Sequence, residues 1–170
     1  MSIIYLSIGS NKGNRYSIIK EAIALIGKDV GKIILISKIY ETKSWGFESD
    51  DFLNLCIKIK SRLEPIDLLN SIKNIEKIMG RKKELNVISA REIDIDIIFY
   101  SNKVIDQKNL KIPHPRLELR NFVLFPLNDI AANHIHPISL RSVKQILEKS
   151  NDKDIPKVTS LNLPLPPFLS

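Results

Sequence analysis

Two carboxylates spaced two residues apart are the side chains of this sequence best suited to chemistry. They are Asp94 and Asp96, and they lie in residues 91–100, a run rich in isoleucine. In a β-strand alternate side chains point to opposite faces, so Ile93, Ile95 and Ile97 would share one face and the two aspartates the other. Adjacent carboxylates repel unless a cation lies between them, and their oxygens suit Mg²⁺, which usually accompanies phosphates. The pattern is compatible with a magnesium site or with a solvated, exposed strand end.

Other polar and aromatic residues fit poorly into a plain core and could complete a site for phosphoryl transfer. They supply an amide, a carboxylate, cations, a histidine and aromatic rings, and they are Trp45, Phe52, Asn54, Glu76, Arg81, Lys83, Arg91, His114, Arg120 and Phe122. Phosphoryl transfer needs cations near the developing charge and a surface that positions the acceptor. The residues alone therefore indicate a Mg²⁺-dependent enzyme of phosphate esters, although each also has a structural explanation. Arg81, for example, could compensate the charge at a helix C-terminus.

Composition places the chain among globular proteins. It has 170 residues, of which 44% are hydrophobic and 26% charged, as expected for one domain with one sizeable core. No apolar run is long enough to cross a bilayer. Cys56 is the only cysteine and cannot form an internal disulfide, so we expect the reducing environment of the cytoplasm.

The net charge of +7 is compatible with nucleic-acid binding, but base composition is a sufficient cause. The basic excess is mostly lysine, the lysines are scattered, and Lys, Ile and Asn are over-used together, as A/T-rich codons would dictate. We expect small-molecule substrates as partners, no nucleic acid, no membrane, and a monomer.

The elements that must position the candidate residues follow the order β-α-β-β-α-β. Hydrophobic patterning predicts strands at 3–9, 31–40, 52–63 and 91–100, and helices at 15–26, capped by Asn14, and at 65–79. This order is the split βαβ arrangement, an antiparallel sheet with helices on one face. The prediction is an α+β, ferredoxin-like fold whose other face is available for a site.

The chain continues beyond this minimal fold as a C-terminal extension. Residues 104–110 are expected to form a short hairpin, 120–127 a helix or turn, and 139–150 a helix capped by Ser139. Residues 1–150 are predicted to be a single domain. Residues 151–170 are predicted to be a tail, part of which could be ordered by docking on the domain.

Seven short motifs in register resemble the 6-hydroxymethyl-7,8-dihydropterin pyrophosphokinase family. They lie at residues 6–11, 40–46, 52–54, 75–81, 91–96, 112–116 and 120–127. Each motif is weak alone, but seven in order along nearly the whole domain are highly specific. The resemblance implies transfer of pyrophosphate from ATP to the hydroxymethyl group of the pterin in folate biosynthesis, with release of AMP.

The resemblance also implies a role for each matching residue. Asp94 and Asp96 would hold two Mg²⁺ ions, and Arg81 and Arg91 would stabilise the transferring charge. The pterin would be bound by Thr42, Trp45, Gly46, Phe52, Asn54 and Phe122, with the two phenylalanines stacked on its two faces. ATP would be bound by Glu76, Lys83, Arg91, His114 and Arg120.

Two segments, 43–51 and 82–90, match loops that close over the substrates in the family, and there the sequence departs from the family pattern. Lys83 stands where the family often has arginine, and residues 87–90 replace an Arg-Trp-Gly-Pro motif. Two other functions are compatible with such a sheet: a Mg²⁺-dependent nucleotidyl transferase or cyclase, and an RNA-binding module. An RNA-recognition sheet would need adjacent aromatics on central strands, where this sequence has paired carboxylates.

Overall fold

The computed structural model describes residues 1–43, 51–80 and 93–165. In chain order the elements are β1 (Ser2–Ser10), α1 (Arg15–Asp29), β2 (Lys32–Ile36), β3 (Tyr40–Thr42), β4 (Phe52–Ser61), α2 (Pro65–Ile78), β5 (Asp94–Tyr100), β6 (Ile105–Gln107), β7 (Leu110–Ile112), a 3₁₀ turn (Leu117–Leu119), α3 (Asn121–Ala131), α4 (Val143–Glu148) and β8 (Lys157–Val158). The predicted α+β, ferredoxin-like arrangement is confirmed. Among the helices in these ranges, none has the length and apolar character needed to span a bilayer.

One antiparallel sheet organises the molecule. Its strands run in the order β5-β1-β4-β3-β8, and β2 also pairs with β4. Helices α1 and α2 cover one face, where alternate residues of β1, β4 and β5 meet the apolar stripes of both helices. This inner core contains Leu6, Leu55 and Ile95 from the strands, and Ile23 and Ile72 from the helices.

The opposite face of the sheet is divided into two halves. Helices α3 and α4, which belong to the predicted C-terminal extension, cover one half and form an outer core with Tyr5, Cys56 and Phe99. We call this the covered half. The other half carries Gly9, Asn54 and Asp94 and borders a large cavity. We call it the cleft half.

Strand β5 contains a bulge at the boundary between these halves. Leu6 pairs with Ile97 and Tyr5 pairs with Phe99, so Ile98 is an extra residue without a partner in β1. Both Ile98 and Phe99 consequently contribute to the outer core, whereas Tyr100 returns to the inner core. The bulge thus changes which face each following side chain occupies.

The strand predicted at 31–40 is two strands, β2 and β3, because Ser37 interrupts the ladder. Its backbone N–H donates to the carbonyl of Cys56 at 2.9 Å, while its hydroxyl accepts the Cys56 N–H, also at 2.9 Å. A side chain therefore takes the place of a backbone carbonyl at this point. Strand β1 is also longer than predicted, since it continues through Gly9 to Ser10.

The predicted cap of the last helix is wrong, whereas the first cap is confirmed. Helix α4 begins after Ser142, not Ser139, because Ser142 and Gln145 form a reciprocal capping box with bonds of 3.1 Å and 2.9 Å. The Asn14 side chain accepts the Ser17 N–H at 3.1 Å, as a cap of α1. Strands β6 and β7 form the hairpin expected after the main sheet.

Residues 151–165 pack on the domain. Val158 pairs with Tyr40 in the sheet, the N–H and hydroxyl of Thr159 both donate to the Ile39 carbonyl at 2.9 Å, and Leu163 reaches the inner core. This segment therefore forms one edge of the sheet and is held by both backbone and side-chain contacts.

Candidate active site

The cleft half is built from rows of residues that the sheet register places side by side. One row contains Tyr40, Asn54, Gly9 and Asp94, each from a different strand, β3, β4, β1 and β5. The next row, at the boundary with the covered half, places Ser7 between Cys56 and Asp96. Register therefore brings together residues that are far apart in the sequence, which a strand-by-strand reading cannot show.

The predicted alternation in β5 is confirmed. Ile93, Ile95 and Ile97 are 0%, 5% and 6% exposed on the inner face, whereas Asp94 and Asp96 are half-buried on the cleft half. Because the two carboxylates share a face, both can contribute oxygens to one polar site.

A cavity of about 670 Å³ lies over the cleft half. We call it the first cavity, and its lining includes Ser7, Gly9, Thr42, Phe52, Asn54, Asp94, Asp96, Arg120 and Phe122, together with residues of the segment 152–157. Two aromatic rings and an amide in a concave site suit a flat heteroaromatic ligand. The amide is oriented, since Asn54 Nδ2 donates to Thr42 Oγ1 at 2.7 Å.

Gly9 makes room for that amide. A Cβ atom at this position would lie 2.8 Å from Asn54 Oδ1, closer than real Cβ contacts allow. A glycine inside a strand often marks such a close approach. Sequence reasoning treated Gly9 as the end of a strand and missed it as a site residue, although its position inside an apolar strand was the available signal.

A second cavity of about 440 Å³ lies on the other side of the aspartates. Its lining includes Lys73, Glu76, Asp94, Asp96, His114, Arg116 and Arg120. Glu76 is 7% exposed, and its Oε2 accepts the Ile95 N–H at 3.3 Å, which holds the carboxylate against β5. The two cavities share Asp94, Asp96 and Arg120.

His114 is neutral at ordinary pH. Burial, reinforced by the positive charges of Arg120 and Arg116, lowers its pKa from 6.5 to about 4. Its Nδ1 accepts the Arg116 N–H at 3.1 Å, and its own backbone N–H donates to the Ile98 carbonyl at 3.0 Å. The ring is therefore a fixed polar group that offers Nε2–H as a donor, and it adds no charge to the cavity.

The start of α3 carries two more residues of the site. Arg120 precedes the helix, and its guanidinium lies over the Phe122 ring, 5.5 Å from the ring centroid. This contact restrains both side chains at the junction of the two cavities.

Comparison with known proteins decides the family. Residues 5–132 match the family model described as 7,8-dihydro-6-hydroxymethylpterin-pyrophosphokinase. The chain belongs to this family. Its members transfer pyrophosphate from ATP to the hydroxymethyl group of dihydropterin in folate biosynthesis, and this is the reaction of the present enzyme.

Similar proteins of known name are consistent with this assignment. The chain is 46% identical over 146 residues to a 2-amino-4-hydroxy-6-hydroxymethyldihydropteridine pyrophosphokinase of Aquifex aeolicus, covering 85% of this chain and 90% of that protein. It is 40% identical over 141 residues to the protein of the same name from Porphyromonas gingivalis, covering 81% and 95%. A Plasmodium falciparum HPPK-DHPS structure has the same fold, with a TM-score of 0.72 at 20% identity, and the match covers 87% of this chain and 43% of that longer one.

The predicted site residues of the pyrophosphokinase fall into two groups. The structure brings together Thr42, Phe52, Asn54, Asp94, Asp96, Arg120 and Phe122 at the first cavity, and Glu76 and His114 at the second. Trp45, Gly46, Arg81, Lys83 and Arg91 lie outside the described residues. Sequence reasoning missed Ser7, Gly9 and the segment 152–157, which line the first cavity.

Proposed function

We propose that the enzyme binds the pterin in the first cavity and ATP in the second, so that the two substrates meet at Asp94, Asp96 and Arg120. The observation that carries this proposal is that these three residues line both cavities. A transfer reaction needs the acceptor and the donor to meet at one point, within reach of groups that stabilise the transferring charge.

The pterin would lie between the rings of Phe52 and Phe122, with its edge on Asn54. Stacking on two aromatic side chains suits a flat heteroaromatic ring, and an amide can both donate to and accept from a pterin edge. The bond from Asn54 to Thr42 sets the direction of the amide before the ligand arrives. Trp45 and Gly46, from the sequence resemblance, would complete this pocket.

ATP would lie along Glu76, His114 and Arg120, with its phosphates toward the aspartates. Arg120 supplies a planar cation suited to phosphate, and neutral His114 supplies a donor. Three further residues from the sequence resemblance would add positive charge. Lys83 and Arg91 would bind ATP, and Arg81 and Arg91 would stabilise the transferring charge.

The donor set of β5 fits Mg²⁺. Within the described ranges, no group of three or more His, Cys, Asp or Glu side chains could hold a metal ion. Two carboxylates are nevertheless sufficient, because Mg²⁺ bound with a nucleotide takes one or two carboxylates and completes its shell with phosphate oxygens and water. Asp94 and Asp96 would hold up to two ions. A bound Mg²⁺ would neutralise phosphate charge and lower the pKa of the attacking hydroxyl.

In the proposed reaction the pterin hydroxymethyl oxygen attacks the β-phosphorus of ATP in line. The bond from the β-phosphorus to the α,β-bridging oxygen breaks, AMP leaves, and the hydroxyl proton is released to water. Arg120 stays beside the transferring group in both cavities, while the aromatic pocket keeps the hydroxymethyl group aimed at the aspartates.

Product analysis tests the reaction. Incubation with ATP, Mg²⁺ and the pterin alcohol should yield AMP and the pterin diphosphate, separated by ion-exchange chromatography. ADP would indicate transfer of one phosphoryl group, and released pyrophosphate would indicate the nucleotidyl transferase that the sequence left open. Removal of Mg²⁺ with EDTA should stop turnover and restoration of Mg²⁺ should recover it. Turnover in EDTA would exclude the metal role of Asp94 and Asp96.

We also propose that the enzyme acts as a cytoplasmic monomer on these small molecules. The single cysteine, Cys56, is buried and free, which suits a reducing compartment. Light scattering on the purified protein should give a mass near 19.4 kDa, the mass of one chain. A mass twice as large would exclude the monomer.

A further inference from the structure

We propose that Asn121 is a positioning residue for pterin binding, through a strap formed by residues 150–158. The strap runs from the start of α3 to β3, with which its last residues pair as the edge strand β8. Its middle portion, Asp152 to Ile155 together with Lys157, lines the first cavity. This inference deepens the proposed function, since it concerns the wall of the cavity in which the pterin is placed.

Asn121 uses both N–H donors of its side chain and its side-chain oxygen toward the strap. Its Nδ2 donates to the carbonyls of Asp152 at 3.0 Å and Asp154 at 2.8 Å, and its Oδ1 accepts the Ser150 hydroxyl at 2.7 Å. Its backbone N–H donates to Asp152 Oδ2 at 2.8 Å. The side chain is only 2% exposed, so water cannot readily replace these bonds.

The same contacts fix the start of α3. The residue at the N-cap, Arg120, makes no side-chain capping bond, and the Asp152 carboxylate accepts the first helical N–H in its place. A carboxylate at this end also interacts favourably with the helix dipole. Asp152 is itself held, because its Oδ1 accepts the Asp154 N–H at 3.0 Å. The strap and the helix therefore brace each other through Asn121.

The far end of the strap is fastened to the other side of the pocket. Lys157 pairs with Glu41, the residue before Thr42, and Val158 pairs with Tyr40. Pro156, just before this pair, is buried. We therefore expect the chain between these two anchors to move when either is lost. Asn121 directly precedes Phe122, so Asn121 fixes the position of the strap and also of Phe122, an aromatic wall of the first cavity.

None of these strap residues touches the second cavity, whose lining comes from α2, β5 and residues 114–120. Loosening the strap should therefore weaken pterin binding selectively. For Asn121→Ala we expect the KM for pterin to rise about tenfold, as for the loss of one or two buried hydrogen bonds. The KM for ATP and kcat should change less than the KM for pterin, because Arg120 is the only residue of the second cavity beside Asn121, and the others lie on α2, on β5 and at residues 114–116.

A double-mutant cycle tests the route of the effect. Asp152→Ala should raise the pterin KM in the same way, and Asn121→Ala combined with Asp152→Ala should raise it little beyond the larger single effect, because both act through the same strap. Ser150→Ala is a milder variant that keeps the test usable if Asn121→Ala does not fold. Ser142→Ala is the control: it removes the cap of α4, away from the cavity, and should lower the melting temperature without changing the pterin KM.

Equal increases in the KM for pterin and for ATP, or additive effects in the cycle, would overturn the positioning role. So would an unchanged pterin KM in Asn121→Ala. Asn54→Ala, measured alongside, separates this inference from the proposed function. If Asn54→Ala weakens pterin binding and Asn121→Ala does not, only the strap is wrong. If neither variant weakens it, the placement of the pterin in the first cavity is wrong as well.

Discussion

The two halves of the outer sheet face use the same three strands for opposite purposes. In the covered half, β1, β4 and β5 present Tyr5, Cys56 and Phe99 to helices α3 and α4. Four positions further toward the cleft on β1, and two on β4, the same face presents Gly9 and Asn54, and it is open to a cavity. The backbone pairing between β1 and β4 is continuous across both halves, whereas the pairing between β1 and β5 is interrupted by the bulge at Ile98.

The difference lies in the side chains and in what covers them. The covered half has large apolar groups whose burial stabilises the fold. The cleft half has two carboxylates, an amide and a glycine, which add little apolar burial and leave space for a ligand. We infer that stability and catalysis are separated along each strand, so that substitutions in one half should affect one property much more than the other.

The largest effect is expected from Asp96→Asn, which removes a proposed metal-binding charge at nearly constant volume. The turnover number should fall by roughly a thousandfold or more, since metal-assisted charge stabilisation is worth several kcal/mol. The melting temperature should change little, because the side chain is half-exposed and lies outside both cores. AMP formation and thermal unfolding measure the two properties. Activity near the wild-type level would contradict the role of the cleft half.

Phe99→Ala is the converse change in the covered half. Phe99 is fully buried and contacts Tyr5 and His134 with ring centroids 6.1 Å and 4.4 Å away. The free energy of unfolding should fall by about 3–5 kcal/mol, as for other buried phenylalanines. Below its melting temperature, the variant should keep kcat within about twofold of the wild type. Urea unfolding and AMP formation at low temperature would show whether the halves are separable.

Two glycines, Gly9 in the cleft half and Gly31 away from it, allow the same comparison with smaller expected effects. In Gly9→Ala the new methyl group must displace Asn54 Oδ1, 2.8 Å away, so the pterin KM should rise about tenfold. In Gly31→Ala the methyl group meets the Lys60 carbonyl at 2.6 Å, far from the cavity, so stability should fall and the pterin KM should not change. Similar effects of both substitutions on KM would mean that Gly9 acts only through the fold.

The smallest expected effect concerns pH. The folded-state pKa of His114 is about 4 against 6.5 for a free side chain, so the unfolded chain takes up a proton near pH 6.5 and the folded protein only near pH 4. Its contribution to stability is therefore complete above pH 6.5 and is lost as the pH falls from 6.5 toward 4. NMR titration of the His114 ring should give a midpoint near 4, and stability should depend less on pH in His114→Asn. A midpoint near 6.5 would show that the ring is more hydrated than its surroundings indicate.

Sequence patterns predicted the features that depend on neighbouring residues alone. Alternation identified β5 and the shared face of Asp94 and Asp96, and the 3.6-residue period identified α1 and α2. The break at Ser37 was not predictable, because it depends on a bond to Cys56, 19 residues away. Ser139 and Ser142 are both plausible caps, and only the reciprocal bond with Gln145 separates them.

The site was predicted mainly through resemblance, since its parts come from distant segments. Thr42 and Asn54 are 12 residues apart, and Asn121 contacts the strap across 29–33 residues. Asn121 offered no signal in the sequence because a polar residue at a helix start is ordinary. Gly9 did offer one, but its partner Asn54 could be identified only from the register between β1 and β4.

The bulge at Ile98 marks the position where β5 can change in length without moving the two aspartates. Deletion of Ile98 would restore regular pairing with β1, and every other side chain of the strand would keep its face, because Ile98 and Phe99 both lie on the outer face. The outer core would lose one buried apolar side chain, whereas Asp94 and Asp96 would stay on the cleft half. We expect changes of strand length to be tolerated at the bulge and not beside the aspartates, where loss of one residue would shift the phase of the alternation.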